Sequence, residues 1–344
     1  MIISRTPFRL SLFGGGCDYP EWFAQHETQV VAAAIARYCY ITVRELPPFF
    51  TTHNTRLVYS EIESVKTNSE IRHPSVRACL NYLERSDGLE IHHDGDLPAR
   101  SGIGSSSAFT VGLLHALHQL ESEPITPDEL ARQAIEVEQV VIGEPVGVQD
   151  QVIAAYGGVQ VMKLSGPDKI DVRPLKMTPS YRGYLEESIL LGFVGVERLS
   201  AEHSSKVVGS IQSGAIDGPL HEVSGLAGVA IKCLQDEGEI GALGKLLQAN
   251  WKLKMAISPD SATSLAHDLL KRAIAAGAFG GKLMGAGGGG FFYLLADAAK
   301  HDQIKAELRE VKVWVPVKFD DDGSQVWSLD SMVSHNMDRR AVLG

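Results

Sequence analysis

The stretch from Leu97 to Ala108, Leu-Pro-Ala-Arg-Ser-Gly-Ile-Gly-Ser-Ser-Ser-Ala, constrains the chain more than any other. Gly102 and Gly104 let the backbone turn sharply and approach a ligand closely. Ser105, Ser106 and Ser107 then open a run in which Ala108, Val111 and Leu114, and Phe109, Leu113, Ala116, Leu117 and Leu120, recur at helical spacing. The order is strand end, glycine turn, helix start. The first N–H groups of a helix lack partners within it, and the helix dipole adds positive charge, so this turn suits a polyphosphate. A glycine turn followed by one capping serine is the plainer reading. Three serines after two spaced glycines exceed what a cap needs.

With 344 residues, the chain has room for two domains and a sizeable core. Its net charge of −10 argues against a broad nucleic-acid or anionic-membrane surface. An anionic ligand therefore requires local basic groups. Cys17, Cys39, Cys79 and Cys233 are scattered, with no C-x-x-C, which fits a reducing compartment better than a disulfide framework or a zinc site. No apolar run is long enough to span a bilayer, and the first residues lack the basic, apolar, small order of a signal peptide. A cytoplasmic protein is expected.

Met1 to Phe13 reads as a strand that ends in Gly14-Gly15-Gly16-Cys17-Asp18-Tyr19-Pro20. This is either a loop for close approach to a substrate or a turn with Asp18 as a helix cap. Residues 29–44 are rich in β-branched and aromatic side chains and read as strand. His92 and His93 are adjacent on an expected strand and point to opposite faces, so strand plus Asp-Gly turn is preferred to a metal site. Thr126, Pro127 and Glu129 form a capping box opening a helix to about Ile142, with Ala131, Ala134, Ile135, Val141 and Ile142 facing inward. Glu138 falls on that apolar face, where a carboxylate is costly without a partner. It is either half of a buried salt bridge or a magnesium ligand. Gly143 and Pro145 end the helix. Asp150 heads the next short apolar segment, as a cap or as a positioned general base.

Near Glu186 the texture changes, and the expected division is 1–184 and 185–344. Residues 189–196 read as a buried strand, followed by helices at about 201–213, 219–236 and 240–256. Asp260 and Ser261 cap a further helix ending at Gly277. Gly285 to Gly290 formally satisfies G-x-G-x-x-G, yet the order helix, glycines, strand is the reverse of a dinucleotide fingerprint. No Walker A sequence is present. The glycine run suits either close contact with a substrate or tight packing on a neighbouring strand. Residues 310–329 read as two strands about a solvated acidic hairpin turn at Asp320-Asp321-Asp322-Gly323.

Three of these motifs, in this order, resemble the GHMP kinase superfamily over nearly the whole chain: Arg5 to Tyr19, Leu97 to Ala108, and Gly280 to Phe291. Within it, Arg5-Thr6-Pro7-Phe8-Arg9, Pro98-Ala99-Arg100-Ser101-Gly102 and Gly281-Lys282-Leu283-Met284-Gly285-Ala286 are most similar to the heptose 7-phosphate kinases. Two departures exist: Cys17 stands where a Thr is usual, and Arg100 where the general family has Gly. The resemblance implies an α+β fold with a ribosomal-protein-S5-like N-domain and a ferredoxin-like C-domain. It implies ATP at Pro98, Arg100, Ser101, Gly102, Ile103, Gly104, Ser105, Ser106 and Ser107, with Mg²⁺ on Ser106 and Glu138. Asp150 takes the role of catalytic base with Arg9 as its partner. Gly15, Gly16, Asp18, Tyr19, Lys282, Gly287 and Gly288 face the substrate, and Lys282, Arg37, Arg77 and Arg198 are candidates for its distal phosphate. The implied reaction is phosphorylation of the anomeric C1 hydroxyl of D-glycero-α-D-manno-heptose 7-phosphate, toward GDP-heptose for surface polysaccharide. A kinase of a free fucose- or galactose-type sugar, and a non-catalytic sugar or ATP sensor, are the alternatives. A small-molecule partner is implied, without nucleic acid or membrane, for a monomer or homodimer.

Overall fold

The computed structural model describes residues 1–47, 49, 52–86, 88–167, 169–195, 200–258, 264–285 and 289–329. The first half runs β1 (Ile2–Phe13), α1 (Pro20–Phe23), β2 (Thr28–Glu45), β3 (Thr55–Val58), β4 (Ile62–Val65), α2 (Pro74–Tyr82), β5 (Leu89–Gly95), α3 (Ser105–Leu120), α4 (Pro127–Glu136), α5 (Gln149–Tyr156), β6 (Val159–Leu164) and β7 (Ile170–Pro174). The second runs α6 (Pro179–Glu187), β8 (Ile189–Phe193), α7 (Ser200–Gln212), α8 (Asp217–Gln235), α9 (Ile240–Ile257), α10 (Ser264–Ala275), β9 (Gly280–Leu283), β10 (Phe291–Leu295), α11 (His301–Glu307), β11 (Val313–Val315) and β12 (Gln325–Ser328).

β2 is long enough to serve two neighbours on one edge. Its start pairs with β6 and its end with β5, while β1 runs antiparallel along most of its other edge. The described sheet has eight strands, in the order β12-β1-β2-β5-β3-β4 with β6-β7 attached to β2. α3 covers β1 and β2, burying Val111, Leu113, Leu114 and Leu117 at 2% exposure or less. Each such side chain stabilises the fold by about 1.5–3 kcal/mol. The second sheet has the order β11-β8-β10-β9 and every pair is antiparallel, the strand order of a β-α-β-β-α-β ferredoxin-like unit. The fold is thus α+β, with two sheets of different design.

Three expectations are corrected. β11 and β12 do not form a hairpin: β11 pairs with β8 in the second sheet and β12 with β1 in the first. The acidic run between them crosses from one sheet to the other. Asp320 accepts from the Tyr38 hydroxyl, and Asp321 pairs with Arg182. For the same reason residues 185–344 are not one contiguous unit, since β12 completes the first sheet. Finally, the helix at Thr126 has its capping box but widens to a π-helix at Val137–Ile142. Glu138 stays inward there (1% exposed), as its place on the apolar face requires, while Val141, expected inward, faces outward (45% exposed). The expected caps Asp260 and Ser261 lie outside the described residues. Among the described residues no helix is long and apolar enough to cross a membrane.

Candidate active site

A cavity of about 290 Å³ lies where the two sheets' loops meet. Its walls include Arg9, Ser11, Gly15, Gly16, Asp18 and Tyr19 from β1 and the loop beyond it. The glycine–serine loop supplies Arg100, Gly102, Gly104, Ser105, Ser106 and Ser107; Glu138, Gln149 and Asp150 come from the helices behind; and Asn250, Lys254, Lys282 and Gly285 come from the second half.

The residue at the N-cap of α3 is Gly104, in the left-handed conformation and with no side-chain cap. The three serines therefore occupy the first helical turn and none of them is the cap. Their first-turn amides are the ones an α-helix leaves without internal partners. Ser105 Oγ accepts the Arg100 N–H at 3.1 Å, which closes the loop on itself. Ser107 Oγ donates to Glu138 Oε2 at 2.8 Å, and Ser106 is exposed on the cavity wall. Three residues expected at the nucleotide lie off the wall. Ser101 is buried and donates to the Pro98 carbonyl at 2.6 Å, Ile103 is fully buried in the core, and Pro98 is exposed.

Arg9 and Asp150 meet in a two-pronged ion pair. Arg9 Nε donates to Asp150 Oδ1 at 2.6 Å and Nη2 to Oδ2 at 2.9 Å. The third prong, Nη1, donates to the Gly102 carbonyl at 2.5 Å and so ties the pair to the serine loop. A carboxylate has about four lone-pair sites, so each Asp150 oxygen keeps capacity for a hydroxyl donor. Asp18 is 3% exposed. It accepts from the Gly16 N–H and from Gln149 Nε2, both at 2.9 Å. Burial pushes its carboxyl up, with Asp150 adding to the effect and the Gly16 and Gln149 bonds opposing it.

Glu138 is a carboxylate that could hold a cation. Its Oε2 is held by Ser107 and by Gln151 Nε2 at 2.5 Å, whereas its buried Oε1 has no partner. Burial raises its pKa to about 7. An unpartnered carboxylate oxygen and a serine hydroxyl on one wall are hard oxygen donors of the kind Mg²⁺ prefers.

The glycine-rich motif of the second half packs on the serine loop. A Cβ on Gly285 (φ 65°) would lie 2.6 Å from Gly102 Cα, and one on Gly102 would lie 2.7 Å from the Met284 carbonyl oxygen. Phe291 N–H donates to the Ser101 carbonyl at 2.9 Å. Gly285 and Gly290 thus serve loop-to-loop packing, and Gly287 and Gly288 lie outside the described residues. Lys282 is 5% exposed on β9, with Nζ 3.4 Å from Ser11 Oγ. Arg37 and Arg77 do not line the cavity; each donates to a backbone carbonyl, that of Ala36 and that of Ile71. Arg198 lies outside the described residues. Tyr19 lines the cavity with its hydroxyl 3.5 Å from Ser204 Oγ.

Several wall residues escaped the sequence reading. Leu247, Asn250, Trp251 and Lys254 recur at i, i+3, i+4 and i+7 on α9, so two polar side chains share an otherwise apolar stripe. The reasoning that singled out Glu138 applies equally to them. Asn250 is 3% exposed with Oδ1 unpartnered, and Lys254 Nζ donates to the carbonyls of Leu283 (3.1 Å) and Gly285 (2.6 Å). Gln149 and Gln151 flank Asp150 and hold Asp18 and Glu138 respectively.

A helix-start turn with unpartnered amides, an adjoining guanidinium–carboxylate pair and a buried carboxylate oxygen without a partner share one cleft, an arrangement that suits phosphoryl transfer. The family model for the GHMP kinases N terminal domain matches residues 74–158, and that for the GHMP kinases C terminal matches residues 230–313. The chain belongs to the GHMP kinases, which are ATP-dependent phosphotransferases. It is 27% identical over 342 residues to the D-glycero-alpha-D-manno-heptose 7-phosphate kinase of Campylobacter jejuni, covering 95% of this chain and 99% of that one. Its fold matches the crystal structure of a D-glycero-D-manno-heptose 1-phosphate kinase from Bacteroides thetaiotaomicron at a TM-score of 0.78 and 24% identity, over 96% and 99% of the two chains. The fold also matches Lactococcus lactis galactokinase complexed with galactose, at a TM-score of 0.70 and 17% identity over 94% and 95%.

Proposed function

We propose that the chain transfers the γ-phosphoryl group of ATP to the anomeric C1 hydroxyl of a heptose 7-phosphate, giving the 1,7-bisphosphate. The observation that carries this reading is the Arg9–Asp150 pair, tied through Gly102 to the serine loop and sharing a cavity with Asp18 and Lys282. The loop amides and Ser105 bind the ATP phosphates. Ser106 and Glu138 would hold Mg²⁺, which when bound neutralises phosphate charge.

Asp18, fixed by Gly16 and Gln149, orients a sugar hydroxyl. Gly15, Gly16 and Tyr19 line the acceptor's side, and Lys282 faces its phosphate. Asp150 accepts the proton of the attacking hydroxyl as its oxygen bonds to the γ-phosphorus and the bond to the β-phosphate oxygen breaks. Arg9 fixes both Asp150 oxygens throughout and presents positive charge beside the transferred group. Positioning and electrostatics of this kind carry most of the catalysis in phosphoryl transfer. We also propose two working units, divided near Tyr184, with β12 returned to the first.

Phosphorus NMR of the product tests the acceptor position. A new anomeric phosphate beside the retained 7-phosphate is expected; phosphorylation at any other hydroxyl contradicts the role given to Asp150.

A further inference from the structure

Two lysines of the second half point into the cavity without a carboxylate partner among the described ion pairs. Lys282 comes from β9 and Lys254 from α9. Lys254 uses two of its three donors on the Leu283 and Gly285 carbonyls, which bracket the turn after β9. Lys282 has the long 3.4 Å contact to Ser11 Oγ. An ammonium group carries three donors, so this nearly buried one is left largely unsatisfied. Among the described residues, the charged groups acting on Lys282 are Lys254, Arg9 and Asp18, and the one acting on Lys254 is Arg9. Arg9 is already committed to Asp150 and the Gly102 carbonyl, and Asp18 to Gly16 and Gln149. Among the described residues, Asp18 is thus the one carboxylate acting on the lysine pair and it is already engaged, although both lysines lie on the wall of a ligand-sized cavity.

We propose that Lys254 and Lys282 together form the seat for the acceptor's own phosphate group, with Lys254 doubly bound so that the turn after β9 is fastened in the same act. This deepens the proposed function and rests on it for the acceptor's class. Lys282 belongs to the acceptor side because it neighbours Ser11 and feels Asp18, whereas the serine loop and Glu138 form the donor side. The seat also implies proton uptake. Burial, then Lys254 and Arg9, hold Lys282 well below its ordinary range. Burial and Arg9 lower Lys254 to about 8. An incoming phosphate reverses the balance, so the lysines bind protons as the anion arrives.

The test uses the full chain with the donor site saturated by a non-hydrolysable ATP analogue and Mg²⁺. Calorimetry compares heptose 7-phosphate with free heptose for wild type, Lys282→Met, Lys254→Met and Lys254→Arg. A charge-assisted bond to a buried phosphate corresponds to about 10- to 100-fold in affinity. Each Met variant is expected to weaken the phosphorylated ligand by that factor and the free sugar by much less, with Lys254→Arg restoring part of the preference. Titrations in buffers of different ionisation enthalpy are expected to show proton uptake with the phosphorylated ligand, reduced in Lys282→Met. Equal weakening of both ligands, or unchanged proton uptake, overturns the seat. So does a loss confined to binding of the ATP analogue, which would assign the lysines to the donor. The preference for the phosphorylated ligand in binding can persist without turnover of heptose 7-phosphate. In that case the proposed reaction fails and the seat stands; turnover with undiminished preference in both Met variants does the opposite.

Discussion

Replacing Asp150 with Asn separates the proposed base from the scaffold around it. The amide keeps the shape of the carboxylate and one acceptor oxygen, and it turns one prong of the Arg9 pair into a donor facing a donor. The 2.6 Å and 2.9 Å bonds to Arg9 thus become one bond to a neutral acceptor and one donor–donor clash. Arg9 is only 6% exposed and cannot fully rehydrate, but it retains the Gly102 carbonyl. Loss of one charge-assisted bond puts the cost at about 1.5–3 kcal/mol. At about 2.1 cal/mol/K per residue, a chain of 344 residues shifts its Tm by only ~2–4 °C. Turnover falls much further, because removing a positioned base costs about 10²–10⁴ in rate. Circular dichroism on heating, equilibrium binding of ATP and coupled ADP release measure the three effects separately. The expected results are a small Tm change, an ATP dissociation constant within about threefold of wild type, and turnover at or below about 1%. Turnover above a tenth of wild type, with the fold and ATP binding intact, would remove Asp150 from the role of base.

Further expectations follow from the same geometry. Gly285→Ala places a Cβ against Gly102 Cα, where backbone must move; steady-state kinetics should show kcat/KM for ATP lowered by about 10- to 100-fold, and native values would mean that the contact is dispensable. Glu138→Gln removes the unpartnered anionic oxygen, so a Mg²⁺ titration should need at least about tenfold more metal for half-maximal activity; an unchanged titration would remove Glu138 from the metal site. Lys254 is charged below about pH 8 and neutral above it in the ligand-free protein, so kcat/KM for the acceptor should fall as pH rises through 8. In Lys254→Arg, which holds its charge, that limb should move to higher pH. A limb that stays in place in the Arg variant would assign it to another group.

Local chemistry was legible in the sequence where a few neighbouring residues decide it. The capping box at Thr126, the long strands Ile2–Phe13 and Thr28–Glu45, and the helices Ser200–Gln212, Asp217–Gln235 and Ile240–Ile257 all follow from short-range patterns. Glu138 was conspicuous because a carboxylate on an apolar helix face demands a reason. The π-helical widening at Val137–Ile142 and the exposure of Val141 were not legible, since a period of 3.6 residues places Val141 inward. Nor was the pairing of β12 with β1, which joins strands from opposite ends of the chain. Gly285 shows the same limit. The glycine run suited either contact with a substrate or packing on a neighbouring strand, and only the tertiary structure brings Gly285 against Gly102. Lys254 and Asn250 could have been found from the stripe on α9 had polar residues there been weighed as Glu138 was.

Mg²⁺-dependent ADP release from ATP, with heptose 7-phosphate run beside free heptose, galactose, fucose and mannose, separates the possible acceptors in a single assay. Rapid turnover with the heptose phosphate and little with the free sugars is the predicted result. Preferred turnover of a free sugar, or none with any acceptor despite ATP binding, would contradict it.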